Sequence, residues 1–412
     1  MPARPWPFWK TVPRFDREYS AGDFVRAGAA LISRKNATHA GRTEIERHFS
    51  PAQAYFARSG RECLYLFLKM LRLRPKSRVG VPLYCCAAVF ETIVAAGHVP
   101  FFLDIDLATY ALDEACLRQN GRHIDALVVV HTFGYPANVK RLRECLDSRR
   151  VPIIEDCAHS LFAECEGRLA GTWGDAAFIT FGMHKPAAVG GGAVLFVNNA
   201  ELVPAAEREF AGLDVEGAGS ELRHSLICWA RSLSYHRVAY GALLASPVGR
   251  FRDEEFGVPE EDGPLNLDPH WSPSKMRSVD EVLLASRIQE FQIKMPRLAR
   301  NTQKLREIIG ESPLTMPEEP SYGTWNHFMV PVRYKSGSRR ESGRRFLMQR
   351  GVDTSPLFRN CVRNGRWVGY EGGCPNSEQA GQTLCTVPNH AGLSDEEISF
   401  IGESVRLSAE LD

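Results

Sequence analysis

A carboxylate, a hydroxyl and an amine lie within one stretch of the chain, at Asp156, Thr180 and Lys185. The apolar runs Val151–Ile154 and Ala176–Phe181 lead up to them, and both are rich in β-branched or aromatic residues, as buried strands are. In open α/β sheets, ligands bind beyond the carboxyl ends of the strands. The three side chains are therefore expected to meet at one ligand site.

This set of groups matches the requirements of pyridoxal 5'-phosphate. The cofactor needs a lysine for a Schiff base, a carboxylate facing its pyridinium nitrogen and neutral donors for its phosphate. Lys185 would bind the aldehyde carbon, Asp156 would keep the ring nitrogen protonated, and Thr180 could donate to the phosphate. Singly, a loop lysine or a helix-capping aspartate is the commoner use of such residues. Their combination, in this order and at strand ends, favours the cofactor site.

The surrounding motifs extend the pattern. Glu155–Ala158 reads E-D-x-A, Gly171–Asp175 reads G-x-x-G-D, Thr180 precedes a phenylalanine, and Lys185 is followed by the turn Gly190–Gly192. This order resembles the sugar-nucleotide aminotransferase family of the DegT/DnrJ/StrS type, within the fold-type I pyridoxal phosphate enzymes. Weaker matches extend from about residue 59 to about residue 407, over most of the chain.

The resemblance implies an activity. It predicts an aminotransferase that moves an amino group from an amino acid, with glutamate as the expected donor, to a keto sugar nucleotide in polysaccharide biosynthesis. Lys185 would move the proton, and the pyridoxamine form of the cofactor would carry the amino group. Two alternatives stay open: a sugar dehydratase on the same fold, although those relatives replace the lysine by histidine, and a catalytically retired regulatory or scaffold relative.

The resemblance also assigns further cofactor contacts. Gly60 and Arg61 open a predicted helix whose free N–H groups would bind the phosphate, with Arg61 where the family has threonine. The family's aromatic residue that stacks on the ring falls by register at Cys86, and the nearest aromatic is Tyr84. His159 occupies a position where the family commonly has glutamine, near the phenolic oxygen of the ring, where it could donate a hydrogen bond or titrate.

A cross-subunit contact departs from the family pattern. Where the family has N-x-R-M followed by Ser or Thr, its asparagine reaches the phosphate of the partner subunit's cofactor. This chain has Pro273 at that position, and Lys275 or Arg277 is the candidate replacement. His131, at another predicted strand end, is interpreted as a structural residue, because one histidine there has many structural uses.

Composition excludes several classes of protein. The 50 Lys and Arg against 49 Asp and Glu give no basic excess for nucleic-acid binding. The 11 cysteines form no C-x-x-C pair, which predicts a reduced, cytoplasmic protein with neither a disulfide framework nor a metal site. The N-terminal segment does not read as a signal peptide, and there is no apolar run of about 18 residues, so no membrane span is expected.

The predicted fold class is α/β, a three-layer fold-type I pyridoxal phosphate transferase. Alternating strands and helices indicate a mostly parallel sheet with helices on both faces, plus a smaller C-terminal α+β domain. The predicted organisation has four parts: an N-terminal arm that wraps a partner subunit or is a loose terminus (1–50), a large cofactor domain (51–272), a long connecting helix (273–309) and the small domain (310–412).

Residues 201–272 are predicted to form an extended helical insertion in the large domain. Its apolar part, about 222–250, is interpreted first as a subunit-interface helix pair. A lid over the substrate and a peripheral membrane-surface patch are the alternatives. An acidic loop is expected over Asp253–Leu267. Because the apolar surface exceeds what one chain readily covers, we expect a homodimer.

Overall fold

The computed structural model describes residues 10–33, 39–146, 150–245, 272–310 and 312–411. Seven strands form a central sheet in the order β1-β9-β8-β5-β4-β2-β3, and shorter strands form two small sheets, β10-β6-β7 and β11-β12. The strands are β1 (Gln53–Ala57), β2 (Arg78–Pro82), β3 (Val99–Leu103), β4 (Ala126–Val130), β5 (Ile153–Asp156), β6 (Glu164–Cys165), β7 (Arg168–Leu169), β8 (Ala176–Thr180), β9 (Ala193–Val197), β10 (Gly323–Thr324), β11 (Val330–Arg333) and β12 (Leu384–Val387).

Strand directions place the predicted site residues at one edge of the central sheet. β8, β5, β4, β2 and β3 pair in parallel, whereas β9 is antiparallel to both of its neighbours, β8 and β1. The mostly parallel sheet confirms the α/β prediction. Asp156 is the last residue of β5 and Thr180 the last residue of β8. Both therefore lie at the carboxyl edge, where ligands bind in such sheets.

Helices cover both faces of the sheet. Within β4, Val128 and Val130 pack in the core beneath α3 and α4, while Leu127 and Val129 pack on the opposite side with α5 and α6. This alternation follows from the two-residue period of a strand. The helices of the large part are α1 (Ala21–Ser33), α2 (His39–Phe49), α3 (Gly60–Met70), α4 (Ala87–Ala95), α5 (Glu114–Asn120), α6 (Val139–Cys145), α7 (Val203–Ala211), α8 (Ala218–Leu233) and α9 (Arg237–Ala245).

The long helix begins later than predicted. A short helix, α10 (Ser278–Glu281), precedes α11 (Leu284–Ile309), because residues 273–277 are not helical and Arg277, which precedes α10, has extended backbone angles. The remaining helices are α12 (Gly337–Gln349), α13 (Cys361–Trp367), α14 (Pro375–Thr383) and α15 (Asp395–Ser408). A capping box begins the last helix: Ser394 and Glu397 each accept a side-chain hydrogen bond from the other's backbone N–H.

The N-terminal segment packs on its own chain. Val12 forms a β-bridge with Val352, and the Arg14 guanidinium lies 2.7 Å from the Asp353 carboxylate. Two helices, α1 and α2, follow within the region predicted to be an arm or a loose terminus. The described part of this region therefore lies against its own chain rather than hanging loose.

The helical insertion is described only in part. α8 and α9 lie within it, whereas residues 246–271 fall outside the described residues, and with them the predicted acidic loop and the end of the apolar segment 222–250. Across the described part of the chain, no helix has both the length and the apolar character needed to cross a bilayer.

Candidate active site

Gly60 and Thr180 come together at the start of α3. A Cβ at Gly60 would lie 2.5 Å from Thr180 Cγ2, so only glycine allows the helix to begin this close to β8. Neither the Gly60 nor the Arg61 N–H has a hydrogen-bond acceptor among the described residues, as befits the first turn of a helix. The Thr180 Oγ1 is buried and likewise lacks a partner there. These unused donors beside a helix N-terminus fit a phosphate group.

Asp156 keeps part of its carboxylate unused. The residue is 7% exposed, and its Oδ1 accepts a hydrogen bond of 2.9 Å from the Ala158 N–H. Its Oδ2 makes no hydrogen bond to the described residues. Burial raises the pKa of Asp156, although the Ala158 N–H and the nearby Lys185 and His131 oppose that shift. A cation beside the free oxygen, such as a protonated pyridine nitrogen, would stabilise the ionised form.

Lys185 lies in the loop between β8 and β9 and is close to Asp156. Burial lowers the pKa of the Lys185 amine below its ordinary value, while the negative charges of Asp156 and Glu18 and the Cys86 thiol oppose this effect. The predicted partners Asp156 and Lys185 are thus brought within electrostatic reach of each other. A lysine with a lowered pKa is a better nucleophile and base at neutral pH.

The structure brings Cys86, rather than Tyr84, to this group. Cys86 precedes α4, and both Lys185 and Asp156 influence its pKa, which burial raises. Tyr84 is fully buried in an aromatic cluster with Phe133 and Phe358, and its hydroxyl donates to the Leu357 carbonyl at 2.7 Å. The register argument therefore pointed to the residue at the site, and the choice of the nearest aromatic did not.

His159 and Arg61 meet the site in different ways. His159 is 7% exposed, and burial together with the positive charge of Lys185 lowers its pKa well below the ordinary value. It is therefore neutral at pH 7 and does not titrate there. The Arg61 side chain is 58% exposed, with its guanidinium 3.9 Å from the Glu91 carboxylate. Only the backbone of Arg61 remains a candidate phosphate contact.

Glu155, next to Asp156, is used entirely within the protein. Its carboxylate accepts hydrogen bonds from the backbone N–H groups of Gly171, Trp173 and Gly174, at 2.6 to 2.8 Å. It also accepts one of 2.9 Å from His131 Nε2. The Glu155 pKa is lowered: burial alone would raise it, but the hydrogen bond and charge of His131 and the loop N–H groups outweigh burial.

The same hydrogen bonds decide whether a nearby group of possible metal ligands could bind a cation. The ligand atoms of His131, Glu155 and Cys157 lie within 4.8 Å of one another. However, His131 Nδ1 accepts a hydrogen bond from the Ala137 N–H, so Nε2 carries the proton that it donates to Glu155. Both imidazole nitrogens and both carboxylate oxygens are therefore already engaged. His131 is a structural residue, as predicted, and the cluster does not suit a cation.

Of the two cations proposed to replace the family's asparagine, one is already engaged. Arg277 donates two hydrogen bonds of 2.9 Å to the Glu216 carboxylate and lies 3.9 Å from Asp280. Lys275 is exposed and forms no ion pair with any described residue. Its backbone pairs with Ala57, at the end of β1. Lys275 is thus the cation left available at this edge.

A cleft opens beside Lys185, and the N-terminal segment forms one of its walls. Phe15 to Glu18 line it, opposite α11 and the loop around His390. Glu18 was not anticipated as a site residue. Its position, 167 residues before Lys185 in the chain, belongs to no local motif, and only the folded chain brings the two together.

The sequence matches a family of aminotransferases and several known proteins. Residues 42–226 and 284–406 match the family described as the DegT/DnrJ/EryC1/StrS aminotransferase family. A UDP-N-acetyl-3-dehydro-alpha-D-glucosamine 3-aminotransferase from Acidithiobacillus ferrooxidans is 29% identical over 41% of this chain and 45% of its own length, so this chain spans less than half of that relative. The lipopolysaccharide biosynthesis protein RfbH from Salmonella typhimurium is 31% identical over 76% of this chain and 71% of its own length.

The same fold recurs among solved structures. The aminotransferase TlmJ from Streptoalloteichus hindustanus superposes with a TM-score of 0.73 at 22% identity, over 96% of this chain and 98% of its own. The fold is therefore the fold-type I architecture predicted from the sequence. The family match covers well over half of the chain and spans β5, β8 and the lysine loop. This chain belongs to the DegT/DnrJ/EryC1/StrS aminotransferase family.

Proposed function

We propose that the protein is a pyridoxal phosphate-dependent aminotransferase that transfers an amino group from an amino acid, with glutamate as the expected donor, to a keto sugar nucleotide. One observation carries the proposal. The Lys185 amine and the partly free Asp156 carboxylate lie within electrostatic reach at the carboxyl edge of the sheet. The unpaired Thr180 hydroxyl and the open start of α3 lie at the same edge.

Each residue has a task toward the cofactor. Pyridoxal phosphate supplies an aldehyde carbon that binds an amine and a ring that accepts electrons. Asp156 holds a proton at the ring nitrogen, because its charge stabilises the cationic form. Lys185 would hold the aldehyde carbon, and its amine would move a proton at the donor's α-carbon. The Gly60 and Arg61 N–H groups and the Thr180 hydroxyl bind the phosphate, and neutral His159 donates a hydrogen bond to the phenolic oxygen.

The substrate class is supported by the relatives. One is named for a UDP-linked dehydro sugar and another for lipopolysaccharide biosynthesis. A keto sugar nucleotide destined for a surface polysaccharide is therefore the substrate class we propose. Sugar nucleotides are cytoplasmic metabolites, and the many free thiols suit that reducing compartment.

The deciding experiment mixes the purified protein with pyridoxal phosphate, nitrogen-labelled glutamate and a panel of keto sugar nucleotides. We expect visible absorbance from the lysine-bound cofactor and labelled amino sugar by mass spectrometry. A sugar product that has lost water without gaining nitrogen would show a dehydratase instead. Absence of the visible band would favour a retired relative and contradict the proposal.

We further propose a homodimer in which a second copy covers the outer face of α8. The usual distribution of polar and apolar residues is reversed on this helix. Its buried residues are Glu221, Ser225, Cys228 and Ser232, whereas apolar side chains point outward. The exposed side chains are Leu222, Leu226, Ile227 and Leu233 on α8 and Val25 and Ile32 on the neighbouring α1. A two-fold axis would pair such a face with itself, because residues of one patch then meet the same patch of the other copy.

Lys275 is the residue that we expect to reach across this dimer. By the family pattern, the loop before α10 extends to the cofactor phosphate of the partner subunit. Since Arg277 is held by Glu216, the exposed Lys275 amine supplies the positive charge. Lys275→Ala should weaken phosphate binding without affecting assembly.

Sedimentation at micromolar concentration tests the dimer. We expect the parent protein to sediment as a dimer and Leu226→Glu to shift it toward monomer. Val99→Glu, at another exposed apolar position, should not change the mass. A fully active monomer would refute the dimer, and a monomer that cosediments with vesicles of anionic phospholipid would show that α8 binds membranes instead.

A further inference from the structure

The residue before the candidate lysine has an unusual backbone conformation. His184 has a φ of 65°, in the left-handed region that a residue with a Cβ seldom adopts. Such a conformation is strained for a residue with a Cβ and persists only where the surroundings impose it. Because His184 is covalently joined to Lys185, its conformation sets the direction in which the lysine leaves the chain.

Two segments from outside the sheet hold His184. The Glu18 carboxylate accepts hydrogen bonds from the His184 backbone N–H, at 2.9 and 3.1 Å to its two oxygens. The Phe15 ring stacks on the imidazole, with centroids 4.4 Å apart and planes 18° apart. From the other side, the Tyr235 hydroxyl and His184 Nε2 share a hydrogen bond of 2.9 Å. Glu18 and Phe15 belong to the N-terminal segment, and Tyr235 to the helical insertion.

Both segments are anchored on one carboxylate of the C-terminal region. Arg14, four residues before Glu18, donates to Asp353 Oδ2 at 2.7 Å. Tyr240, whose ring stacks on Tyr235 with centroids 5.4 Å apart, donates its hydroxyl to the same oxygen. A direct bond also joins the two segments, from the Tyr19 N–H to Ser232 Oγ. The contacts on His184 therefore belong to a fixed frame rather than to two loose loops.

We infer that Glu18 and Tyr235 are positioning residues for Lys185: by holding His184 in the left-handed conformation, they aim the lysine amine at the cofactor's aldehyde carbon. This assigns a role to the insertion, which is to complete the lysine loop of its own chain. The inference rests on the proposed role of Lys185, but it needs no assumption about the sugar or the amino donor.

Glu18 has a second effect that separates it from Tyr235. Four groups face the Lys185 amine: Asp156 from β5, Cys86 from the start of α4, Glu18 from the N-terminal segment, and His159. The negative charge of Glu18 raises the pKa of Lys185, whereas Tyr235 is neutral and does not contact the amine. Removing the Glu18 charge and removing the contacts that hold His184 should therefore have different effects on Lys185.

The test uses the purified full-length protein and two readouts. The first is the pH profile of Lys185 labelling by dinitrofluorobenzene in the cofactor-free protein, measured by peptide mass spectrometry. The second is the rate at which visible absorbance develops after pyridoxal phosphate is added. Tyr334→Phe is the matched control, since it removes another buried hydroxyl, one that bonds to Ser408 and is remote from the lysine loop.

We expect Tyr235→Phe to slow cofactor attachment about tenfold, as for the loss of one buried hydrogen bond, with an unchanged labelling midpoint. Glu18→Gln keeps a carbonyl acceptor for the His184 N–H but removes the charge. It should attach the cofactor within a few-fold of the parent rate and shift the labelling midpoint to lower pH, because the charge that raises the pKa of Lys185 is gone. Glu18→Ala should show both defects.

Attachment rates for Tyr235→Phe and Glu18→Ala equal to that of Tyr334→Phe would overturn the inference. If Tyr235→Phe loses its folded circular dichroism spectrum, Phe15→Leu, which removes the stacking on His184, takes its place with the same expectation. Absence of cofactor attachment in the parent protein would instead count against the proposed function. Failure to aminate sugars would leave the positioning role intact.

Discussion

Glu155 and Asp156 are adjacent carboxylates at the end of β5, and the protein treats them in opposite ways. Glu155 receives four hydrogen bonds, three from backbone N–H groups and one from His131. Asp156 receives one, from the Ala158 N–H, and retains a free oxygen beside Lys185. Because successive residues of a strand point to opposite faces, two identical functional groups reach two different environments.

The number of hydrogen bonds that a buried carboxylate accepts from its own chain distinguishes a structural carboxylate from one available to a ligand. A carboxylate whose acceptor sites are all occupied by its own chain is bound too tightly to serve a ligand. A buried carboxylate with an unused oxygen carries a desolvation cost that only a ligand can relieve. On this criterion Glu155 holds the loop Gly171–Gly174 in place, and Asp156 has an oxygen free to bind a cationic group.

The largest effect is expected at the amine that faces Asp156. Lys185→Ala should abolish both the visible cofactor absorbance and amino transfer, because the alanine offers no group to bind the aldehyde carbon. The circular dichroism spectrum should not change, since Lys185 forms no hydrogen bond with the described residues. Lys140→Ala, on an exposed ion pair with Glu166, is the control. Unchanged turnover in Lys185→Ala would remove the basis of the mechanism.

The next effect is on the free carboxylate itself. Asp156→Asn keeps the size of the side chain but loses the charge that holds a proton on the ring nitrogen. We expect cofactor attachment to persist while the rate falls at least ~10³-fold, or ~4 kcal/mol of transition-state stabilisation. Rapid-mixing measurements of both half-reactions give this number. Near-normal rates would mean that Asp156 is no more than a structural residue.

The matching change at Glu155 should lower stability and leave the rate nearly unchanged, the opposite of the change at Asp156. Glu155→Gln replaces an oxygen that accepts two N–H bonds by an NH₂ group that faces those donors. We expect the free energy of unfolding to fall by about 3 kcal/mol, while the rate per folded molecule stays within a few-fold. Denaturant titration measures the free energy of unfolding, and titration of the active sites gives the rate per folded molecule. Glu166→Gln, on the surface, should cost less than about 0.5 kcal/mol. A rate loss without a stability loss would blur the contrast with Asp156.

A third buried carboxylate, Asp280, extends the comparison, because its partners are cationic side chains rather than backbone N–H groups. His224 Nε2 donates to it at 3.0 Å and Arg277 lies 3.9 Å away. Burial raises the pKa of Asp280, and these two cations oppose that shift. Burial opposes the imidazolium, but the hydrogen bond and charge of Asp280 prevail and raise the pKa of His224 to about 9, from 6.5. A raised pKa means that the folded state binds the proton more tightly than the unfolded state does.

The contribution of His224 to stability is therefore complete below pH 6.5 and disappears as the pH rises through 9. Over that window we expect the free energy of unfolding to fall by about 3 kcal/mol. His224→Gln should remove that slope, whereas His236→Gln, at an exposed position of the same insertion, should retain it. Equal slopes in all three proteins would exclude a charged His224.

The predictable part of the site lies within 30 residues of sequence. Asp156 and Thr180 end neighbouring parallel strands, so strand pattern alone brought them to one edge, and the lysine followed by motif spacing. Glu18 and Tyr235 were missed because tertiary packing, not local pattern, places them. The preference for Tyr84 over Cys86 came from weighing residue type above register.

Element boundaries show the same division. β5 and β8 appeared where the apolar runs predicted them, because buried strands leave a clear hydrophobic signal. The long helix was predicted to begin near residue 273, yet it begins at Leu284. Instead, Lys275 forms a β-bridge with Ala57 and Ser274 forms one with Asp214, and these contacts between distant segments left no mark in the local sequence.

The bond between Arg14 and Asp353 has a consequence for the synthesis of the protein. The two residues are 339 positions apart, so the N-terminal segment is made first and its anchor comes late. At translation rates of about 5 to 20 residues per second, roughly 20 to 70 s pass between them. The strands and Lys185 can fold during that interval, but the frame around His184 closes only after residue 353 has left the ribosome. On the role inferred above for Glu18 and Tyr235, Lys185 reaches its final geometry only after residue 353 has been synthesised.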